Sequence, residues 1–273
     1  REVDAIVHLV RCFEDDNIVH VDGAVDPVRD METITLELIL ADMDTVQKRG
    51  EKARKMFKTG DKKFETEADI ADKLQKTLES ELPARLCPLS PEEREITKGW
   101  FLLTDKPVIY AANIAEGDIS KDVSTLKPVQ ALMAKAKQEQ AEVVVVSAQI
   151  EQEIASLPED EKQMFLDELG IAHSGLDSLI HASYKILGLI SFLTSGEDEC
   201  RAWTIQKGSR APQAAGKIHT DFERGFIRAE IVAFEALKEN GSMAHCREKG
   251  LVRSEGKDYV MQDGDVTLFR FNV

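Results

Sequence analysis

The sequence predicts an α/β protein: a parallel sheet, interrupted by a long helical insertion and followed by a smaller α+β module. Three observations carry that prediction. Short, nearly all-apolar runs at Ala5–Val10, Val108–Ala112 and Val143–Val146 suit strands buried on both faces of a parallel sheet, and long helical patterns separate them. Between the first two runs, from Asp42 to Glu81, 20 of 40 residues are charged, which suits two antiparallel helices standing in solvent. After about residue 190 the pattern changes to short alternating segments with turn residues between them. The expected division is a sheet domain from residues 1–31 and 100–190, an insertion at 32–99, and a module at 191–273.

For the helix that leads into the insertion, Asp26 is the expected N-cap, with Pro27 at the first helical position. Met56, Phe57, Leu74 and Leu78 are the insertion's apolar anchors, and Lys58–Lys63 is the turn between the helices. Ser90, Pro91 and Glu93 form a capping-box pattern. A helix follows over the stretch SLPEDEKQMFLDEL and closes at Gly170; another follows Ser174, with Asp177 as its capping partner. In the last module, ISFLTSGEDECRAWTI reads as two strands joined by a turn. Thr220 to Glu223 reads as a second capping box, FIRAEIVAF as a strand, and DYVMQDGDVTLFRFN as a hairpin on Asp263-Gly264.

The chain has 273 residues, enough for about two domains. Its 42% apolar content supports a packed core, and its net charge of −15 argues against polyanion binding by bulk charge. Cys12, Cys87, Cys200 and Cys246 are dispersed and form no C-x-x-C pair, which predicts free thiols, no zinc site and a cytoplasmic protein. No run is long and apolar enough to cross a membrane. A start at Arg1, without methionine and with a strand almost at once, reads as the later part of a longer protein.

The stretch PVIYAANIAEGDIS, residues 107–120, carries the chemistry. Ligands of open α/β sheets sit at the carboxyl ends of the strands. In GTP-binding proteins a strand at such a place ends in Asn-Lys-x-Asp, and the aspartate reads guanine. Here the run is Asn113, Ile114, Ala115, Glu116, and a strand ending in Ser147, Ala148, Gln149 follows 34 residues later. Glutamate is one methylene longer than aspartate, and Ile114 replaces the lysine with an apolar surface. A site without the aspartate loses its guanine preference, because discrimination rests on pairing polar atoms. Adenine, with an N6 donor and N1 and N7 acceptors, becomes a reasonable ligand. The phosphate-binding pattern G-x-x-x-x-G-K-[ST] finds only APQAAGKI at 211–218, which lacks both the first glycine and the final hydroxyl.

Two basic runs could touch nucleic acid. Residues 48–63 hold eight Lys or Arg, with Lys52, Lys55 and Lys58 at the expected tip. Residues 201–228 hold Arg201, Lys207, Arg210, Lys217, Arg224 and Arg228, interleaved with Trp203, Phe222 and Phe226. For both, a plain solvated surface is the competing reading. His219 with Asp221 reads as a turn rather than a catalytic pair.

The blocks REVDAIVHLVRCFEDD, HVDGAVDPVRDMETITLELILADMDTV, NIAEGD, RAWTIQKGSRAPQAAGKIHTDFERGFIRAE and GKDYVMQDGDVTLFRFNV resemble the Obg-like ATPases, the YchF subfamily of the Obg-related P-loop NTPases. The resemblance implies a GTPase-like parallel sheet with a helical coiled-coil insertion and a C-terminal TGS domain of the β-grasp type. It implies a monomer that binds the ribosome and ribosomal RNA and hydrolyses ATP in preference to GTP, with Mg2+. Asn113, Ile114 and Glu116 would contact adenine, flanked by Ser147, Ala148 and Gln149. The family's P-loop, switches and magnesium ligands would precede Arg1. The incomplete sheet of this chain is therefore expected to hold no catalytic residue, to bind nucleotide weakly or not at all, and not to hydrolyse it. The alternative is a non-enzymatic RNA- or ribosome-binding protein that uses the coiled-coil tip and the TGS sheet.

Overall fold

The computed structural model describes residues 2–15, 17–20, 23–57, 61–196 and 199–272. The chain divides into two compact units, Arg1–Ser183 and Tyr184–Val273.

The first unit opens with strand β1 (Ile6–Arg11), the helical pair α1 (Pro27–Phe57) and α2 (Lys62–Glu79), and helix α3 (Pro91–Lys98). Then come β2 (Val108–Asn113), α4 (Lys127–Gln138), β3 (Glu142–Val146), α5 (Ala148–Ser156), α6 (Glu159–Leu169) and α7 (Gly175–Ile186). The three strands form a parallel sheet in the order β1-β2-β3, so their carboxyl ends share one edge. The central strand β2 is buried from Val108 to Ala112. Its Tyr110 and Ala112 pack with Met31 of α1 and with Val129 and Leu132 of α4. β1 is an edge strand, and Val7 and Leu9 are about half exposed. Burial on both faces, expected from the apolar run, therefore holds for β2 but not for β1, where Val7 and Leu9, two residues apart, share a face left about half exposed.

Asp26 caps α1 as expected, accepting from the Val28 and Arg29 N–H groups at 3.1 Å each. The helical pair buries Ile39, Val46, Ile70, Ala71, Leu74 and Leu78 together with Trp100 and Leu102. Gly50 lets the helices touch: a Cβ there would lie 3.0 Å from that of Ala71. Met56 and Phe57, expected as anchors, are about 40% exposed. They lie beyond the buried stripe of the pair, since the first buried residue of α2 is Ile70. Lys58 lies outside the described residues.

At the base of the insertion, buried Asp42 accepts from Leu103 N (2.9 Å), Thr104 N (2.7 Å) and Thr104 Oγ1 (2.8 Å). The same threonine hydroxyl accepts from Ala84 N at 3.0 Å. Nearby, Glu139 at the end of α4 pairs with Arg85 at 2.6 Å and accepts from the Tyr110 hydroxyl at 3.0 Å. Burial, with the Glu139 charge, pushes the Tyr110 hydroxyl up to about 12. His8 lies against Tyr110, and burial lowers its imidazole below the usual range, with the Glu139 charge opposing. The unfolded chain thus binds a proton more readily than the folded one. Stability is expected to fall as pH drops below about 6.5 and to level off below the folded pKa. His8→Gln should flatten that part of a plot of urea midpoint against pH.

The second unit contains β4 (Leu189–Ser195), β5 (Cys200–Gln206), α8 (Ala211–Ile218), α9 (Thr220–Arg224) and β6 (Phe226–Ala233). It ends with α10 (Phe234–Asn240), α11 (Met243–Glu248), β7 (Arg253–Glu255) and β8 (Asp265–Phe271). The five strands form a mixed sheet in the order β5-β4-β8-β6-β7, with β4 and β8 parallel. Ala211, Ala214 and Ala215 of α8 pack with Phe192, Ala229, Ile231 and Phe269, which fill one side of this sheet. The P-loop-like string 211–218 is thus this small-residue packing helix.

Two expectations fail here. Asp263-Gly264 turns no hairpin: the Asp263 carboxylate accepts from Ser191 N at 2.7 Å, Gly264 N donates to Ser191 O, and β8 pairs with distant β6 and β4. The box Thr220–Glu223 does not form either. His219 is the cap, its Nδ1 accepting from Asp221 N at 3.2 Å. No pattern in the sequence marked α10, α11 or β7.

Candidate functional site

A cleft of about 740 Å³ opens at the carboxyl ends of β1, β2 and β3. Its walls are the segment after β1 (Phe13, Glu14, Asp15, Ile18), the loop Asn113–Glu116 after β2, and one side of α5. The parallel register explains the meeting: Arg11 pairs with Asn113, and Asn113 with Val146, so all three strands end at one level.

The Asn113 carboxamide joins two of these walls. Its Oδ1 accepts from Ala148 N at 3.0 Å, which satisfies one of the free N–H groups of the first turn of α5. Among the described residues nothing pairs with its Nδ2. Ile114 N donates to Val146 O at 2.9 Å, which draws the loop against β3. Ile114 is only 3% exposed as a whole residue, so it offers the cleft little surface. Across the rim, Gln149 Nε2 donates to Glu116 Oε2 at 2.8 Å. All six residues expected at a base site thus lie together. The stretch expected as a Ser-Ala-Gln loop begins a helix instead: Ser147 is its N-cap position, and Ala148 and Gln149 form its first turn. Ser147 Oγ is buried and has no hydrogen-bond partner among the described residues; a buried hydroxyl left unpaired costs about 1–3 kcal/mol.

The structure adds two residues that the sequence patterns did not single out. Phe13 supplies an aromatic wall. Arg11 shapes the segment that carries it, donating to the carbonyls of Phe13 (2.9 Å), Ile18 (3.0 Å) and Asp15 (3.3 Å), with its guanidinium over the Phe13 ring. An aromatic residue two positions past a strand's carboxyl end was the available signal. The cleft is acidic, with Glu14, Asp15, Glu116 and Glu153 in its walls. Carboxylates repel phosphates but accept from the amino groups of a base. Among the described residues no group of three or more His, Cys, Asp or Glu could hold a metal ion.

The basic candidates of the second unit are dispersed. Arg201 stacks over Trp203 on β5, Lys207 follows that strand, and Arg210 pairs with Asp258 ahead of α8. Lys217 and Arg224 are exposed on α8 and α9, while Arg228 stands on the opposite face of the sheet. Lys52 and Lys55 are exposed near the end of α1.

Over all 273 residues the chain is 55% identical to the ribosome-binding ATPase YchF of Bacillus subtilis (strain 168), and it spans 74% of that protein. The chain belongs to the YchF family. It is 42% identical over 270 residues to Obg-like ATPase 1 of Caenorhabditis elegans, covering 98% of this chain and 68% of that one. A family model described as "YchF-GTPase_C: Protein of unknown function (DUF933)" matches residues 189–272, nearly all of the second unit. The solved structure of the Schizosaccharomyces pombe YchF GTPase superposes with a TM-score of 0.83 at 36% identity, over 98% of this chain and 72% of that one. A GTP-binding protein from Pyrococcus horikoshii OT3 matches at a TM-score of 0.58 and 20% identity, a likeness of fold alone. Membership of the YchF family accounts for both the three-stranded parallel sheet with its helical pair and the mixed sheet that follows.

Proposed function

We propose that the cleft at the ends of β1–β3 binds the base of a nucleotide, adenine in preference to guanine, and that the chain serves a cytoplasmic, ribosome-binding ATPase. The hydrogen bond from Ala148 N to Asn113 Oδ1 carries this reading. It holds the strand-end loop and the first turn of α5 as one pocket, leaving Asn113 Nδ2 as a donor and Glu116 as an acceptor on the rim. An adenine offers ring nitrogens to the first and its amino group to the second. Phe13 gives the base an apolar face, and Ile114, whose N–H is given to Val146 O, has only its carbonyl left for an edge contact. The acidic walls fit an uncharged base better than phosphates. With no P-loop pattern among these residues, base recognition rather than phosphoryl transfer is their part of the work. The names of the relatives, with Lys52 and Lys55 exposed on α1, support a ribosomal partner.

Ligand-observed NMR on the chain, with adenosine, ATP and GTP competing for one site, tests this. ATP and adenosine are expected to displace one another, and GTP to compete at least about tenfold more weakly, equivalent to ~1.4 kcal/mol. Glu116→Asp, at an exposed position, should narrow that gap, and Glu116→Asp with Ile114→Lys should narrow it further. Equal competition by ATP and GTP, unchanged by either variant, would remove the loop as the base reader.

A further inference from the structure

We infer that the outer face of the C-terminal sheet binds RNA phosphate through Arg228, Arg247 and Arg270, arranged around Glu230. The inference rests on the ribosome-binding reading above and adds a site to it.

The β6–β8 register sets Val232 opposite Val266, Glu230 opposite Leu268 and Arg228 opposite Arg270. Strand alternation places all six on the face away from Ala229, Ile231 and Phe269, which fill the core. Val232 and Val266 are covered by Cys246 and neighbours from α10 and α11. Glu230 comes next along β6. Arg247 of α11 reaches it from the side at 2.9 Å, and Arg228 and Arg270 reach it at 3.2 Å each. The hydrogen bonds from Arg270 and then Arg247 hold its carboxyl below the usual carboxylate range.

Three cations around one carboxylate exceed what folding requires. A single arginine would neutralise Glu230, and two arginines directly opposite on neighbouring strands repel each other. Glu230 is 8% exposed, while all three arginine side chains are at least half exposed. Among the described residues no other carboxylate pairs with any of them. Each guanidinium carries five donors and gives one of them to Glu230. The remaining donors form a preset fork array of net charge +2, suited to the oxygens of a phosphodiester. Leu268 lies beside them, 40% exposed, as an apolar contact for a sugar or base. The charge of the unit agrees: residues 184–273 hold thirteen Lys or Arg against thirteen Asp or Glu, so the chain's whole net charge of −15 resides in the first 183 residues. A polyanion is least repelled at the second unit.

Fluorescence anisotropy of a labelled single-stranded oligouridine, titrated with the chain over a range of salt, tests the site. Arg247→Gln and Arg270→Gln are each expected to weaken binding by about threefold to tenfold at low salt. Each should lower the salt slope by about 0.7, the share of one neutralised phosphate on a single strand. Arg247→Lys, which keeps the charge, should retain most of the affinity. Glu230→Gln should tighten binding, since it removes the negative charge and leaves the cations. A merely structural cluster would instead lose folding in the same direction for all of these variants, and thermal melting of each would show it. Unchanged affinity and slope in a folded Arg247→Gln/Arg270→Gln double variant would overturn the proposal. Equal competition by polyglutamate would overturn the assignment to RNA. Failure of the parent chain to pellet with ribosomes, while the arginine variants still lose oligouridine, would overturn the ribosomal reading and leave the phosphate site standing.

Discussion

Replacing Asn113 with alanine is expected to weaken ATP binding at the cleft by tenfold or more and, separately, to lower the chain's stability by about 1 kcal/mol. The two losses come from different atoms. Oδ1 accepts the Ala148 N–H at 3.0 Å and so acts as a distant cap for α5; deleting such a cap costs roughly 0.5–2 kcal/mol. Nδ2 has no protein partner among the described residues, and under the proposed reading it donates to the base. Asn113→Asp separates the effects. It keeps an acceptor for Ala148 but replaces the donor with an anion in an already acidic cleft. Stability close to that of the parent, with ATP binding lost as severely as in the alanine variant, is the expected pair of results. Urea unfolding measures the first and ligand-observed NMR the second. If Asn113→Asp bound ATP as well as the parent, Nδ2 would have no part in reading the base.

The largest effect on folding is expected at Asp42, far from the cleft. Asp42→Ala should cost about 3–5 kcal/mol, because a fully buried carboxylate and three of its hydrogen bonds are lost together. Each buried donor left unpaired costs roughly 1–3 kcal/mol, and partial relaxation keeps the total below the sum. Asp42→Asn preserves the shape and one acceptor oxygen, so about 1–2 kcal/mol is expected. Thr104→Val should be markedly less harmful in the Asp42→Ala background than alone, since the two side chains share a bond. Additive losses in such a double-mutant cycle, measured by urea unfolding, would mean that the bond contributes nothing of its own.

The residues of the proposed base site were legible as strand-end positions because each rests on a local pattern. An apolar run ending in Asn-x-x-Glu marks a strand's carboxyl end, and a second run ending in Ser-Ala-Gln marks another. Parallel pairing then has little choice but to bring the two ends together. Arg11 was not legible, because its role lies in three carbonyls of a segment whose path no pattern sets. Phe13 offered only its place just past the end of β1 as a signal. Asp42 read as one more charge among the 20 of a solvated helical pair, although it is fully buried. Its partners at 103 and 104 are some sixty residues away, a separation at which helical periodicity carries no information.

The second unit shows the same boundary from the other side. Its strands β4, β5 and β6 were visible as short alternating segments. The pairing of β8 was not visible. Asp263-Gly264 has the composition of a hairpin turn, but hydrogen bonds to Ser191 and the long-range ladder with β6 decide otherwise. The cluster at Glu230 likewise gathers residues from β6, α11 and β8, which are adjacent only once the sheet is built. By itself, then, the sequence determined most of the secondary structure, the α/β class and the residues at the ends of the strands. Those follow from backbone periodicity, capping and the burial of apolar runs, all of which act within a few residues. The tertiary structure alone decided which buried polar groups find partners and which cations converge. Those outcomes depend on bonds between segments far apart in the chain, and only packing brings them within about 3 Å of one another.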